Sequence, residues 1–497
     1  MDETVETAVA PATEGKQIFG QPFGIVTLFL TEMWERFSFY GARALLILFM
    51  TAAATRGGLG IADKTASSIY GLYLGGSYLS CVLGGWIADR LVGAQRAVLA
   101  GGVFIMTGNA MLASGSTQVF FLGLLVTTLG VGLLKPNISA IVGQLYPEGG
   151  SRRDAGFSIF YMGINMGSWL GSSLIPWCAQ SFGWHAGFAL PALGMVFGLI
   201  QFLVTRHYLG VCGVARDADA QNGSWTPIVA LGIAIVAVAA LALSGALKFD
   251  ANAVGVAATW AMSALALGYF TYLVFFAGLS GAERNRVYVM AALFAGSAMF
   301  WAGYEQMGAS FNLFAQRYTE RHLLGVEIPA GTLQAVNPTF IIIFAPVLAA
   351  VWLSLGRRNR DFSASTKFAL GLLLMGAGFL VMYVASLHVI AGQKVLPTWL
   401  ICTYLLHTLG ELCLSPVGLS SMTKLAPTRF VGQVMGLWFL SLALGDNLAG
   451  QLSGEYDSSN LMSLPGLFLK IFWWGAIGGG VMLLLTPALK RLMSGVR

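Results

Sequence analysis

The chain has 497 residues, 56% of them hydrophobic and only 10% charged, against roughly 45–50% and about 25% in an ordinary soluble domain. That composition leaves too little polar surface for a water-facing fold and excludes a soluble protein, a disordered chain and a collagen-like one. The formal charge of +6 comes from basic residues scattered singly and in pairs between apolar runs, which argues for membrane topology rather than nucleic-acid binding.

The first 18 residues are polar and acidic, without the basic start and apolar core of a cleaved signal, and read as a tail. Runs of about 20 apolar residues, enough to cross about 30 Å of hydrocarbon, predict helices over 23–50, 66–88, 96–115, 118–145, 156–180 and 185–208. Two more follow over 226–246 and 253–279, in a stretch almost free of charge, and read as a peripheral insert. A second set of six occupies 287–316, 331–355, 365–388, 397–423, 430–452 and 465–490, giving fourteen crossings arranged as six, two and six.

Loop charges test that count, because cytoplasmic loops hold the excess of Lys and Arg. With the N-terminus inside, inner segments carry 18 of the 28 basic residues, Arg216 and Arg497 among them, and outer segments carry 7, including Lys248. The bias predicts both termini in the cytoplasm, and dropping one crossing would spoil it. Two six-helix halves joined by a longer connection describe an all-α integral membrane protein of the major facilitator fold. Its expected parts are a cytoplasmic tail over 1–22, a six-helix bundle over 23–210, a linker with the two extra helices over 211–284, and a second bundle over 285–497. The five cysteines show no CxxC and no zinc-ligand spacing, so free thiols and no metal site are expected. The loop after the second helix, GGWIADRLVGAQR, resembles the major facilitator signature at that place; Asp89 and Arg90 in it are expected to latch one conformation.

An ionised side chain at mid-membrane costs at least about 2.5–3.5 kcal/mol, so each one needs a partner or a function. Helix 1 carries Glu32, Glu35, Arg36, Tyr40 and Arg43, spaced by three or four and therefore on one stripe. Two carboxylates beside one guanidinium leave one negative charge uncompensated unless a proton or a second cation joins them, and Lys135 on helix 4 is the candidate cation. Glu305 on helix 7, Glu411 on helix 10 and Asp446 on helix 11 complete the set. A carboxylate pair whose hold on a proton depends on a nearby lysine suits a proton-coupled carrier; a static ion network that fixes helix packing is the plainer alternative.

Several motifs make the resemblance specific. TEMWERFSFYGAR on helix 1 resembles the ExxERF motif of the proton-coupled oligopeptide transporters of the major facilitator superfamily, bacterial type, and FSIFYMGINMGSWLG on helix 5 resembles their FYxxINxG signature. LLKPNIS, YEQMG, LQAVNPTF and LGELCLSPVGLS are similar to that family's helices 4, 7, 8 and 10. The resemblance implies that Arg43 and Lys135 receive a peptide's carboxylate, while Glu411, with Asn165 and Asn337, holds its ammonium. It also implies that Tyr40, Tyr78 and Tyr161 line the cavity, that Trp438 and Ser415 shape its second half, and that Glu32, Glu35, Arg36, Lys135 and Glu305 couple it to protons. Lys135 is expected to pair with Glu411 when the protein faces outward, and Arg43 with Glu305 when it faces inward.

The chain departs from the family at Phe39, where many members carry tyrosine, and at Tyr304, where some carry a second glutamate. Asp446 lies outside the matched motifs and is left unassigned, and His407 is read as structural. The function implied is import of di- and tripeptides with protons by alternating access in a bacterial inner membrane. Protons, peptides and membrane lipid are the expected partners of a monomer, with no nucleic acid, no cofactor and no enzymatic activity. A carrier of nitrate, a drug or another small anion on the same fold is the competing reading.

Overall fold

Helix after helix follows from apolar runs long enough to bridge hydrocarbon, so that every backbone polar group is satisfied within its own segment. The structure, a computed structural model, describes residues 16–493 except 149, 215–224, 245, 247–248, 324, 359, 361 and 457–459. Most of the expected tail, with Arg216, Lys248 and Arg497, lies outside the described residues.

The first six helices are α1 (Gly24–Thr51), α2 (Asp63–Ile87), α3 (Ala94–Leu112), α4 (Thr117–Gln144), α5 (Gly150–Phe182) and α6 (Trp184–Thr205). The inserted pair is α7 (Thr226–Leu243) and α8 (Ala251–Phe275). The remainder is α9 (Gly281–Tyr304), α10 (Ser310–Tyr318), α11 (Val336–Arg357), α12 (Ala364–Ile390), α13 (Thr398–Leu425), α14 (Val431–Ser453) and α15 (Ser463–Leu492). Among the described residues, eight spans are long and apolar enough to cross a membrane on composition alone: α4, α6, α8, α9 with α10, α11, α12, α13 and α15. α1 misses that mark because Glu32, Glu35, Arg36 and Arg43 interrupt it, and all four are buried. Two short hairpins, Gln17–Ile18 with Gln21–Pro22 and His322–Leu323 with Val326–Glu327, were not expected from the apolar pattern.

In the first bundle α1 packs on α5 and α6, and α3 on α4 and α6; in the second, α12 packs on α13 and α15, and α9 on α15. The bundles meet where α14 runs along α2, and α8 touches both of these helices. Small residues make that seam tight: a Cβ on Gly71 would lie 2.8 Å from the Gly450 Cα, and one on Gly75 would lie 2.7 Å from the Ala443 carbonyl oxygen. α8 is fastened across the seam. Ser68 of α2 donates to Asn252 Oδ1 at 2.7 Å, while Asn447 and Gln451 of α14 donate to the Gly255 carbonyl at 2.7 and 3.1 Å.

The seventh crossing differs from the continuous helix expected over 287–316. α9 ends at Tyr304, a 3₁₀ turn covers Glu305–Gly308, and α10 restarts at Ser310. The first bundle approaches closely at this turn: a Cβ at Gly308 would sit 1.9 Å from Tyr70 Oη and 2.9 Å from Arg43 Nε. The break brings Glu305 to the interface between the bundles.

That interface is closed at the end opposite the one where α1 begins and α15 finishes. Arg317 of α10 makes a two-pronged ion pair with Asp63 of α2 at 2.7 and 2.8 Å, and Asn312 donates to the Ala44 carbonyl at 2.9 Å. Gln180 of α5 donates to the Glu327 carbonyl at 3.0 Å. Towards the other end α2 exposes Leu79, Val82, Leu83 and Trp86, whereas its first half is buried.

Candidate functional site

Between the bundles lies a cavity of ≈ 190 Å³. Tyr40 of α1, Tyr78 of α2, Lys135 of α4 and Tyr161, Asn165 and Ser168 of α5 form one wall. Trp301, Tyr304 and Glu305 of the broken crossing, Asn337 of α11, Glu411 and Ser415 of α13 and Phe439 of α14 form the other. Residues more than 370 positions apart in the chain thus face one space, to which seven helices and the broken crossing at Glu305 contribute.

The two walls carry opposite charge. Lys135 Nζ stands 3.9 Å from the centre of the Tyr78 ring, a cation–π contact, and among the described residues it has no ion-pair partner within 4 Å. Opposite it, Glu411 accepts hydrogen bonds from Tyr304 Oη at 2.7 Å and Asn337 Nδ2 at 3.3 Å. Asn337 also donates to Thr408 Oγ1 at 2.9 Å, which fixes its amide. Asn165 donates to the Tyr161 carbonyl at 2.9 Å, and Tyr161 is 40% exposed on the cavity side of α5.

Beside the cavity are two buried ion groups. On α1, Arg36 binds Glu35 through both Nε and Nη2, the latter at 2.7 Å, and reaches Glu32 at 3.3 Å. The second oxygen of Glu32 has no hydrogen-bond partner among the described residues. Arg36 is also stacked over Phe39 and Tyr40, at 4.9 and 5.7 Å from the ring centres, and Lys135 lies within electrostatic range of both glutamates. The second group closes the cavity at its sealed end: Arg43 pairs with Glu305 at 3.1 Å, and Tyr70 donates to the same carboxylate at 3.5 Å.

The structure therefore brings Glu305, Lys135, Tyr40, Tyr78, Tyr161, Asn165, Asn337, Glu411 and Ser415 to one cavity. Glu32, Glu35, Arg36 and Arg43 stand behind its wall. Trp438 is placed differently from the expected cavity-shaping role: it is 3% exposed and packs on Phe368 and against Gly418, because the glycine leaves room for the indole inside the second bundle. Asp89 and Arg90 are exposed in a π-helical turn at the end of α2 and do not line the cavity. His407 is buried, with Nε2 3.1 Å from the Met375 carbonyl and the ring among Phe311 and Phe379.

Sequence reasoning missed Tyr70, Trp301, Phe439, the Arg317–Asp63 pair and the bond from Tyr304 to Glu411. The last was within reach, since Tyr304 replaces a glutamate next to Glu305 and a buried phenol needs a partner.

The geometry has clear relatives. The family model PTR2, described as the POT family, matches residues 95–464. The chain is 41% identical over 494 residues to the peptide transporter YePEPT of Yersinia enterocolitica, covering 97% of each. It is 33% identical over 498 residues to a di-/tripeptide transporter of Lactococcus lactis subsp. cremoris, covering 97% of this chain and 98% of that one. Among solved structures, a crystal structure of a mutant peptide transporter POT in complex with alafosfalin is similar at a TM-score of 0.88 and 39% identity, over 97% of this chain and 98% of that one. The fold is that of the major facilitator transporters, two six-helix bundles plus two inserted transmembrane helices, and this multi-pass membrane protein belongs to the POT family.

Proposed function

We propose that the protein imports di- and tripeptides together with protons by alternating access. The observation that carries the reading is the cavity with Lys135 on one wall and Glu411 on the other, sealed at one end by Arg43 and Glu305. A short peptide is a zwitterion whose charged ends lie several ångströms apart while its side chains vary. A cation on one wall and a hydrogen-bonded carboxylate on the other can hold both ends and leave the side chains to the tyrosine walls. The names of the similar proteins, a peptide transporter and a di-/tripeptide transporter, support the substrate class. The competing anion reading is not favoured, since Glu411 would repel a small anion in the same cavity.

In this reading Lys135, and Arg43 when Glu305 releases it, bind the peptide carboxylate, and Glu411 with Asn337 and Asn165 binds the ammonium. Tyr40, Tyr78, Tyr161 and Ser415 form the walls, and Trp438 acts only through packing. The termini lie on the cytoplasmic side of an inner membrane, as the loop charges favour, so the present conformation faces inward. Residues 23–210 and 285–497 are the rocking units, 211–284 is the linker between them, and Asp89 and Arg90 act at its inner gate. The protein works as a monomer in lipid.

Proton coupling rests on α1. Arg36 is committed to Glu35 by two bonds, whereas Glu32 keeps one oxygen free of partners. Glu32 is thus the member of the pair better placed to carry a proton, and Lys135 the cation that displaces it. A proton entering down 100 mV supplies about 2.3 kcal/mol, enough for roughly fifty-fold accumulation. The test replaces Glu32→Gln, Glu35→Gln or Arg36→Lys singly and compares gradient-driven uptake with exchange of labelled dialanine in proteoliposomes. Coupling residues lose the first and keep part of the second. Full gradient-driven accumulation in all three variants rejects the assignment.

A further inference from the structure

One ionisable group in the bundle interface is used by none of the steps above. Asp446 sits on α14, facing α2, and is 1% exposed. Neither of its carboxylate oxygens has a hydrogen-bond partner among the described residues. Its backbone is pressed into the seam, for a Cβ at Gly71 would lie 3.1 Å from the Asp446 carbonyl oxygen and one turn further on Gly71 meets Gly450. The seam that buries the side chain is therefore the same contact that closes the sealed end of the cavity.

Among the described residues the surroundings offer Asp446 no direct hydrogen-bond or ion-pair partner. Arg43 of α1, Lys135 of α4 and Glu305 are within electrostatic range, but Arg43 is engaged with Glu305 and Lys135 with the Tyr78 ring. Tyr70 and Tyr78 are the ionisable residues that α2 turns towards it, and Tyr70 donates its hydroxyl to Glu305. α8 contributes Asn252, Gly255 and Thr259 to the seam and no charged residue. On α13, Glu411 and His407 are engaged with Tyr304, Asn337 and the Met375 carbonyl. A bare carboxylate sealed there would lose its hydration and gain only distant attraction from cations already engaged elsewhere.

We propose that Asp446 is a proton-carrying residue of the transport cycle: closing α2 on α14 requires its carboxylate to bind one proton, and loss of that proton loosens the seam. The step is a proton transfer alone: the proton is taken from outer water while the seam is open and given up to water in the inward-open cavity once the peptide has left. It rests on the transporter reading and adds to it a second proton site, separate from Glu32 and Glu35 and placed at the outer gate rather than beside the cavity. Acid outside then favours closure over a loaded cavity, and the empty carrier reopens outward after the acid is ionised.

The test measures closure directly. Lys64 and Glu455 flank the sealed end, where a Cβ at Gly454 would lie 3.3 Å from Lys64 Cγ. In a chain with the five native cysteines replaced, Lys64→Cys and Glu455→Cys are cross-linked across a pH series in proteoliposomes, with and without Asp446→Asn. The parent pair should cross-link well in acid and progressively less as pH rises. Asp446→Asn, which mimics the neutral acid, should stay cross-linkable to at least about one pH unit higher, while losing gradient-driven dialanine accumulation and keeping exchange. Asp446→Ser, checked by the same exchange assay, covers the case in which the amide fails to fold. If either variant keeps both the parent's pH profile and its accumulation, the inference fails. If the parent itself does not accumulate dialanine, it is the transporter reading that fails.

Discussion

At the scale of single residues, the second wall of the cavity is a carboxylate held by two neutral donors. Tyr304 and Asn337 orient Glu411 with two neutral hydrogen bonds, and in the proposed reading this carboxylate meets the incoming ammonium. A hydrogen bond to a charged group contributes about 1.5–3 kcal/mol. Glu411→Gln should therefore weaken dialanine about 10- to 100-fold in competition uptake, and N-acetylated dialanine, which has no ammonium, much less. Tyr304→Phe removes one neutral donor, worth about 0.5–1.5 kcal/mol, and should cost only about 2- to 10-fold. Equal losses for the two peptides on Glu411→Gln would mean that this carboxylate does not read the ammonium. The stripe on α1 could be read from sequence because three- and four-residue spacing alone puts Glu32, Glu35, Arg36, Tyr40 and Arg43 on one face. The partition of Arg36 between its two glutamates could not, since side-chain torsions decide it.

At the scale of elements, the seam between α2 and α14 works by absence of side chains. Gly71 and Gly450 let the two backbones meet, as small residues do at membrane helix interfaces. Gly71→Leu should hold the sealed end open and abolish dialanine transport, whereas Gly480→Leu on α15, where nothing lies within 4 Å, should leave transport intact. Cysteine accessibility at position 64 distinguishes an open end from a misfolded chain: it should rise in the first variant only, and unchanged accessibility with lost transport would contradict the role of the seam. Fourteen apolar runs were legible because hydrocarbon thickness sets their length. The break at Glu305–Gly308 was not, because what packs against it, Tyr70 and Arg43, lies more than 230 positions earlier in the chain. Trp438 shows the same limit: its motif context suggested the cavity, while the room left by Gly418 draws it into the bundle.

At the scale of the whole molecule, transport follows from where charge can be paired. The present conformation pairs Arg43 with Glu305 and Arg317 with Asp63 at one end, and leaves Lys135 and Glu411 facing each other across the open cavity. In the proposed cycle peptide and proton act on the same charges: the peptide's carboxylate takes up the field of Lys135 that otherwise reaches the glutamates of α1, and a proton makes up for it there. The most direct test reconstitutes the purified protein in vesicles with acid outside and follows labelled dialanine and external pH together. The account predicts accumulation above equilibrium, up to roughly fifty-fold per proton at 100 mV, with the outside turning alkaline as peptide enters. Dialanine that only equilibrates, or that accumulates with no movement of protons, would contradict it.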